Sequence, residues 1–321
     1  MTTTPGARPA RPRKPQLNLT VRSRELLSPS MVRVVLGIDE PERYADIVPP
    51  EKYVKLVFLR PGTGEAGTAL PGTSIPGTDA VGTANPGTDA PDSETARSSR
   101  PGSEPGRNPD YWELKETLPG DRQPVTRHLT IRRYVPERHE LWMDFVLHGD
   151  DGFAGPWAAR AEPGDRIIAL GPGGRWTPAP DAAWTLIAAD DAAIPAALAV
   201  LETLPASAQG EVLLEVDTPS DVQPVSAPAG MAVRWVFRAD IGPGEDAALG
   251  RAVREAGWPT DPEGVQVFAH GEREVMKALR EELFTRRRLE RDQVSLSGYW
   301  ARGRTEDVFQ AEKKLPVGQI L

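Results

Sequence analysis

Two stretches of the chain combine residue types that could hold a phosphate-bearing ligand. In Arg127-His-Leu-Thr130, on a predicted strand, alternation sends Arg127 and Leu129 to one face and His128 and Thr130 to the other. Downstream, His148-Gly-Asp-Asp-Gly-Phe-Ala-Gly-Pro-Trp157 sets glycines and small residues before a short helix, and Pro156 suits that helix's first turn. The first N–H groups of such a helix could face a phosphate; equally, the glycines could cap a purely structural helix. A second set of candidates stands at the ends of apolar runs: Asp190-Asp191, Glu215-Val-Asp217, His270-Gly-Glu272 and Gly298-Tyr-Trp300. Ligands of open parallel sheets bind beyond the carboxyl ends of the strands. An acidic pair there also serves as a helix N-cap, and no G-x-G-x-x-G fingerprint follows the first of these strands.

Other chemistries find no support in the composition. Cysteine is absent, which excludes a disulfide framework, a Cys-ligated zinc or iron–sulfur centre and a thiol nucleophile. The four histidines, at 128, 139, 148 and 270, never flank a Glu at i, i+4, so no all-protein metal site is expected. A formal charge of −8 argues against a grip on nucleic acid. Apolar runs such as Trp184–Ala189 fall far short of the roughly 20 residues of a membrane span. The N-terminus lacks an apolar signal-like stretch. A cytoplasmic protein with neither nucleic acid nor membrane among its partners is expected.

The elements that must position these residues follow from the hydrophobic pattern. Residues 1–16 read as a disordered basic arm, rich in Pro, Thr and Arg with little to bury. Residues 17–178 read as a barrel unit: short alternating strands at 17–21, 31–36, 53–59, 125–134, 140–147 and 165–170, with turns between them. The segment 60–107, punctuated by four Pro-Gly-Thr triplets, reads as a flexible insertion. From residue 179 to 321 continuous apolar runs (184–189, 211–216, 232–237, 265–269) alternate with helical segments (194–204, 244–256, 272–288). Such alternation predicts a doubly wound parallel sheet covered on both faces. The expected fold class is therefore an N-terminal antiparallel β-barrel followed by a doubly wound α/β domain.

The same residues carry a resemblance. Arg127-His-Leu-Thr-Ile-Arg132, Asp144-Phe-Val-Leu-His-Gly149, Gly152-Phe-Ala-Gly-Pro-Trp157, Pro163-Gly-Asp165 and Gly171-Pro-Gly-Gly174 resemble the siderophore-interacting protein family, flavin-dependent ferric-siderophore reductases related to ferredoxin–NADP reductases. Ala189-Asp-Asp-Ala-Ala-Ile-Pro195 is similar to the family's Gly-Asp-Glu-Thr-Ala-Leu-Pro segment. Gly298-Tyr-Trp-Ala-Arg-Gly303 is similar to its Gly-Tyr-Trp-x-x-Gly signature. The likeness runs in order from about Leu17 to Leu315, apart from the insertion.

The resemblance implies that the barrel binds FAD and the α/β domain binds NADH or NADPH. Cofactor-binding positions carried over are Arg127, His128, Leu129, Thr130, Ile131, Arg132, His148, Gly152, Ala154, Gly155 and Trp157 from the barrel, with Asp190, Ala192 and Trp300 from the second domain. Arg127 would pair with the pyrophosphate, joined by N–H groups between Ala154 and Trp157, and Thr130 would reach the flavin edge. Leu129 stands where the family has a stacking Tyr; Ala189 and Ala192 replace a Gly and a Thr. Glu215, Asp217, His270, Gly271 and Glu272, at the strand ends, are the expected nucleotide-binding residues. An acidic group at the end of the second parallel strand accepts from a ribose 2′-OH, which favours NADH; Arg234 or Arg238 nearby could instead serve a 2′-phosphate. Lys55, Arg302 and Lys313, with Arg132, form the expected basic patch for an anionic ferric siderophore. The implied activity is cytoplasmic reduction of Fe(III)-siderophore by NAD(P)H through FAD, with no catalytic side chain of its own. The rival readings are a general flavin or ferredoxin-linked reductase, with ferredoxin as a partner, and a binder of flavin or ferric siderophore without turnover.

Overall fold

The computed structural model describes residues 13–44, 52–60, 108–149, 152–174, 176–238 and 247–321. Most of the basic arm (1–12), nearly all of the insertion (61–107), Asp150, Asp151 and the start of the helix expected from Gly244 lie outside the described residues.

Seven strands make one antiparallel sheet: β1 (Gln16–Ser28), β2 (Met31–Ile38), β3 (Tyr53–Phe58), β4 (Val125–Thr130), β5 (Arg133–Val135), β6 (Glu140–Val146) and β7 (Arg166–Gly173). Their order is β4-β3-β7-β1-β2-β6-β5. The two outermost strands, β4 and β5, are separated in the chain by Ile131 and Arg132 alone. The Ile131 N–H donates to Lys52 O beside β3 (2.8 Å), and the Arg132 N–H donates to Trp142 O on β6 (2.9 Å). A chain can step between the two edges of a sheet in two residues only if the sheet has curled round on itself. That step divides the single strand expected over 125–134, so seven strands appear where six are expected.

The curled sheet encloses Leu17, Leu19, Val34, Leu36, Leu56, Leu141, Met143, Phe145 and Ile167. Burying each such side chain contributes about 1.5–3 kcal/mol. Helix α1 (Tyr111–Thr117), which the apolar pattern does not announce, begins on Asp110, whose carboxylate accepts from the Trp112 and Glu113 N–H groups. Its Tyr111 packs with Val57, Ile168 and Leu170 in a satellite cluster. Helix α2 (Ala154–Arg160) packs on the main barrel core through Trp157 and Ala158.

The second sheet is parallel throughout: β8 (Trp184–Asp190), β9 (Gln209–Val216), β10 (Gly230–Phe237), β11 (Val265–Glu272) and β12 (Val294–Trp300), in the order β10-β9-β8-β11-β12. β8 and β11 are buried along almost their whole length, as central parallel strands must be. Alternate residues feed two cores. Ile187, Val212, Leu214 and Phe268 meet α3 (Ile194–Leu201) on one face. On the other, Leu186, Leu213, Val267 and Ala269 meet α4 (Ala248–Arg254) and α5 (Arg273–Arg280). The helix expected over 272–288 is shorter: α5 passes into a π-helical turn at Glu281–Arg286. A last helix, α6 (Glu306–Glu312), follows β12. Strands are added outward from β8 in one direction (β9, β10) and then in the other (β11, β12), which makes the carboxyl ends of β8 and β11 the switch point where such sheets bind ligands.

The two sheets meet through polar contacts. Glu202, just past α3, accepts from Arg132 (2.5 Å) and Arg133 (2.9 Å), and the Ser30 hydroxyl donates to Asp221 (2.6 Å).

Candidate functional site

On β4 the register pairs Leu129 with Val54 and Arg127 with Leu56, and pairs His128 with Lys55 and Thr130 with Tyr53. Residues opposite one another in a ladder share a face. Val54 and Leu56 are core residues, so Arg127 and Leu129 belong to the inner face. The Arg127 guanidinium lies 5.1 Å from the Phe153 ring, at the entrance to α2. Its Nη1 donates to Thr126 O (2.9 Å) and to Asp307 Oδ1 (3.1 Å). Leu129 packs against the barrel core, as do Phe153 and Ala154. On the outer face His128 tilts against Tyr53 at 5.3 Å, and its Nδ1 lies 3.2 Å from Glu306. Lys55 is half-buried, and burial with the nearby Lys14 charge lowers its pKa against the pull of Glu306.

Thr130 and Ile131 are buried. Arg132 is 9 % exposed; its Nη2 serves Glu202, while its Nε and Nη1 are buried with no partner among the described residues. Buried guanidinium donors left in that condition are costly unless something answers them.

Before α2 the backbone takes the left-handed conformation at Gly149 (φ 84°) and Gly152 (φ 88°), which a side chain would strain. A Cβ on Gly155 would come within 3.1 Å of Val146 O, so the helix starts tight against β6. Pro156 has no N–H, and the Trp157 N–H closes the first turn onto Phe153 O. Ala154 and Gly155 therefore supply the amides at this terminus. The Trp157 ring is a core anchor between Phe145 (5.6 Å) and Phe58 (6.1 Å). His148 is exposed just past β6.

At the switch point the carboxyl end of β8 is tied to β11 and β12. Asp190 Oδ2 accepts from the Glu272 N–H (2.7 Å) and the Trp300 indole N–H (2.8 Å). Its Oδ1 is buried without a partner among the described residues. Burial first, and the Asp191 charge second, push its pKa up to about 7 against the Trp300 hydrogen bond. Gly271 allows this approach: a Cβ there would stand 2.7 Å from the Asp190 carboxylate. Ala192 lies in the turn after β8 and donates its N–H to Asp191. Glu272 caps α5 by accepting from the Glu274 and Val275 N–H groups, and accepts from the Arg302 N–H (3.0 Å). Its carboxylate thus splints the loop that carries Trp300 and Arg302. His270 is wholly buried against Phe268 and Tyr299, with Nε2 2.9 Å from the Ser295 hydroxyl; burial holds it neutral, at about 3. Lys313, past α6, holds its ammonium 4.6 Å from the Phe309 ring.

The ends of β8, β9 and β10 form a separate knot. Arg238 binds Asp191 (2.8 Å), Glu215 (2.9 Å) and Asp217 (2.7 Å) at once. Burial raises the Glu215 pKa against the pull of Arg238.

The structure thus gathers the predicted residues into a barrel cluster (Arg127 to Thr130, Lys55, the α2 entrance), a switch-point cluster (Asp190, Gly271, Glu272, Trp300) and the Glu215–Asp217 knot. His270 and the Trp157 ring lie inside cores. Sequence reasoning missed Glu306 and Asp307, which reach Arg127 and His128 from α6, and it missed Glu202. Thr305-Glu-Asp, an N-cap followed by two acids, was the available signal for α6.

Residues 182–303 match the model of the siderophore-interacting protein family, and residues 96–176 match that of the siderophore-interacting FAD-binding domain. The chain is 43 % identical over 206 residues to an uncharacterized protein of Mycobacterium tuberculosis, covering 61 % of this chain and 72 % of that one. It is 34 % identical over 194 residues to the ferric vibriobactin reductase ViuB of Vibrio cholerae, covering 60 % and 70 %. Among solved structures, the siderophore-interacting protein SipS from Aeromonas hydrophila superposes with a TM-score of 0.67 at 26 % identity, covering 94 % of this chain and 98 % of that one. An Amycolatopsis cytochrome P450 reductase shares the fold alone, at 16 % identity and a TM-score of 0.56, covering 93 % and 74 %.

Proposed function

The chain belongs to the siderophore-interacting protein family, and on that premise we propose that it is an FAD-dependent reductase that takes electrons from NADH or NADPH and reduces Fe(III) held by a siderophore in the cytoplasm. The observation that carries this reading is Arg127, a permanent cation at the mouth of the barrel, set over Phe153 where α2 begins. Among the described residues its Nε and Nη2 have no hydrogen-bond partner and would be left for a phosphate, a ligand that Arg suits through its planar fork.

The residues present fit FAD. The amides of Ala154 and Gly155 would join Arg127 at the pyrophosphate, Leu129 would offer an apolar wall, and Thr130 would face the ring edge. The Oδ1 of Asp190, buried without a partner among the described residues, is an acceptor of the kind that an imide N–H satisfies. Bound FAD would supply the conversion between a two-electron hydride donor and one-electron transfer to iron. The chain's own residues bind, orient and exclude water. Trp300, fixed by Asp190, would close the sheet side of the crevice, with Glu272 holding the Arg302 backbone in place nearby. Lys55, Arg302 and Lys313 would draw an anionic ferric chelate to this edge. Reduction weakens a hard-oxygen chelate, since such ligands prefer the more highly charged ion. Among the described residues no helix is long and apolar enough to cross a membrane.

The test is a titration of the purified protein with FAD, followed by flavin absorbance on adding NADH or NADPH anaerobically. Saturable binding at one site per chain and bleaching by a nucleotide are expected. Flavin that binds but is bleached by neither nucleotide would favour the non-catalytic reading, and bleaching only by reduced ferredoxin would favour the ferredoxin-linked one.

A further inference from the structure

The carboxyl ends of β8, β9 and β10 bring one guanidinium against three carboxylates. Arg238 donates from Nε to Glu215 Oε1 (2.9 Å) and from Nη2 to Asp191 Oδ2 (2.8 Å), and its Nη1 pairs with Asp217 Oδ1 (2.7 Å). The other oxygen of Glu215 accepts the Leu249 N–H at the start of α4 (2.8 Å). Glu215, expected to receive a ribose hydroxyl, is therefore fully engaged and buried. Asp217, 61 % exposed, is the member that faces solvent. Arg234 is committed elsewhere: it donates to Ala252 O at 3.0 Å, with Glu211 at 3.9 Å.

A dinucleotide straddles the switch point of such a sheet. Helix α6, which follows β12, reaches Arg127 and His128, so the flavin side of the crevice lies toward β11 and β12. The adenosine half then falls over β9 and β10, where the knot stands. We infer that this knot is a specificity filter that admits an adenosine 2′-hydroxyl and rejects a 2′-phosphate, with Arg238 as its positioning residue and Asp217 as the acceptor; the inference rests on the nicotinamide-nucleotide reading above.

Every nitrogen of Arg238 already faces a carboxylate, and three negative charges against one positive leave the knot at a formal −2. A 2′-phosphate could reach the guanidinium only by displacing Asp217, and would still stand beside Asp191 and Glu215. Like charges at such range repel strongly when partly desolvated. A ribose diol brings donors and no charge, and Asp217 retains lone pairs to accept them. Arg238 keeps the three acids together on a strand-end platform that would otherwise repel itself apart.

Calorimetric titration of the full chain with 5′-AMP and with adenosine 2′,5′-bisphosphate tests this without flavin or turnover. Wild type should bind 5′-AMP tighter by about tenfold or more, the scale of a single unfavourable charge contact. In Asp191→Asn/Asp217→Asn, Arg238 answers a single carboxylate, so the preference should vanish or reverse. An unchanged far-ultraviolet dichroism spectrum and a cooperative thermal transition confirm that the double variant is folded. Tighter binding of the bisphosphate by wild type would overturn the filter while leaving the crevice as an adenosine site. An unchanged ratio in the folded double variant would overturn the role of the knot. Binding of neither nucleotide by wild type would overturn the filter together with the nicotinamide-nucleotide reading.

Discussion

Arg127 and Asp190 are separable at the scale of single residues, one through ligand affinity and the other through the pH dependence of folding. Arg127→Ala would remove the charge-assisted contact proposed for the FAD pyrophosphate, worth roughly 1.5–3 kcal/mol, so FAD affinity should fall about ten- to a hundredfold. Fluorescence titration checks it; undiminished affinity would remove Arg127 from the cofactor site. Asp190 predicts a pH dependence. Its carboxyl titrates near 7 in the folded chain against 3.8 as the ordinary value. Between those limits the unfolded chain has lost a proton that the folded chain keeps, so folding stability falls as pH rises through that window. Asp190→Asn keeps an acceptor for Glu272 and Trp300 and removes the buried charge. The variant should unfold at a higher temperature than wild type at pH 8, by an amount reflecting on the order of a few kcal/mol, at about 1.4 kcal/mol per pKa unit. The difference should shrink toward pH 4. A variant less stable than wild type at pH 8 would show that the ionised carboxylate is tolerated. Residue types alone pointed to Arg127, Asp190 and Trp300, because a motif shows type and spacing. They could not show that Arg238 is spoken for three times or that His270 lies inside a core, since both follow from packing between distant segments.

At the scale of elements, periodicity recovers the strands well and the helices in part. The apolar runs of β8, β9 and β11 are legible because central parallel strands are buried on both sides and leave no ambiguity of face. The break between β4 and β5 is not legible: the residues around Ile131 are as strand-like as their neighbours, and the step is imposed by closure of the barrel. Helices α1 and α6 are seven residues each, too short for an apolar stripe, and only their caps announce them. Close approach between elements sets the next prediction. Gly271, at φ 159°, lets β11 pass against Asp190. Gly271→Ala should displace that carboxyl, loosen Trp300 and cost about 1–3 kcal/mol, the usual range for forcing atoms into a packed site. A thermal melt and the near-ultraviolet dichroism of tryptophan would report it, and an unchanged spectrum would contradict it. Glu202 joins α3 to the barrel. Glu202→Ala strands the buried Arg132 and should destabilise by about 1–3 kcal/mol, less than a fully buried pair would because Glu202 is itself partly exposed.

For the whole molecule, a curled antiparallel sheet and a doubly wound parallel sheet are positioned so that α6 from the second covers β4 of the first. That architecture was legible from composition and pattern, since alternating short strands and then apolar runs between helices admit few other arrangements. The family was legible from motifs held in register across both halves. The closure of one unit on the other was not, because it depends on charges in α6 and after α3 whose partners lie 180 and 70 residues away in the chain. In the proposed function these two units together move electrons from a nicotinamide to siderophore-held iron through FAD. The direct measurement is an anaerobic reaction of FAD-loaded protein with limiting NADH or NADPH and excess ferric chelate, with a ferrous trap present. A hydride carries two electrons and each Fe(III) takes one, so about two Fe(II) should appear per nucleotide oxidised, and only when flavin is bound. Iron bound by the FAD-loaded protein but never reduced by either nucleotide would contradict the claim.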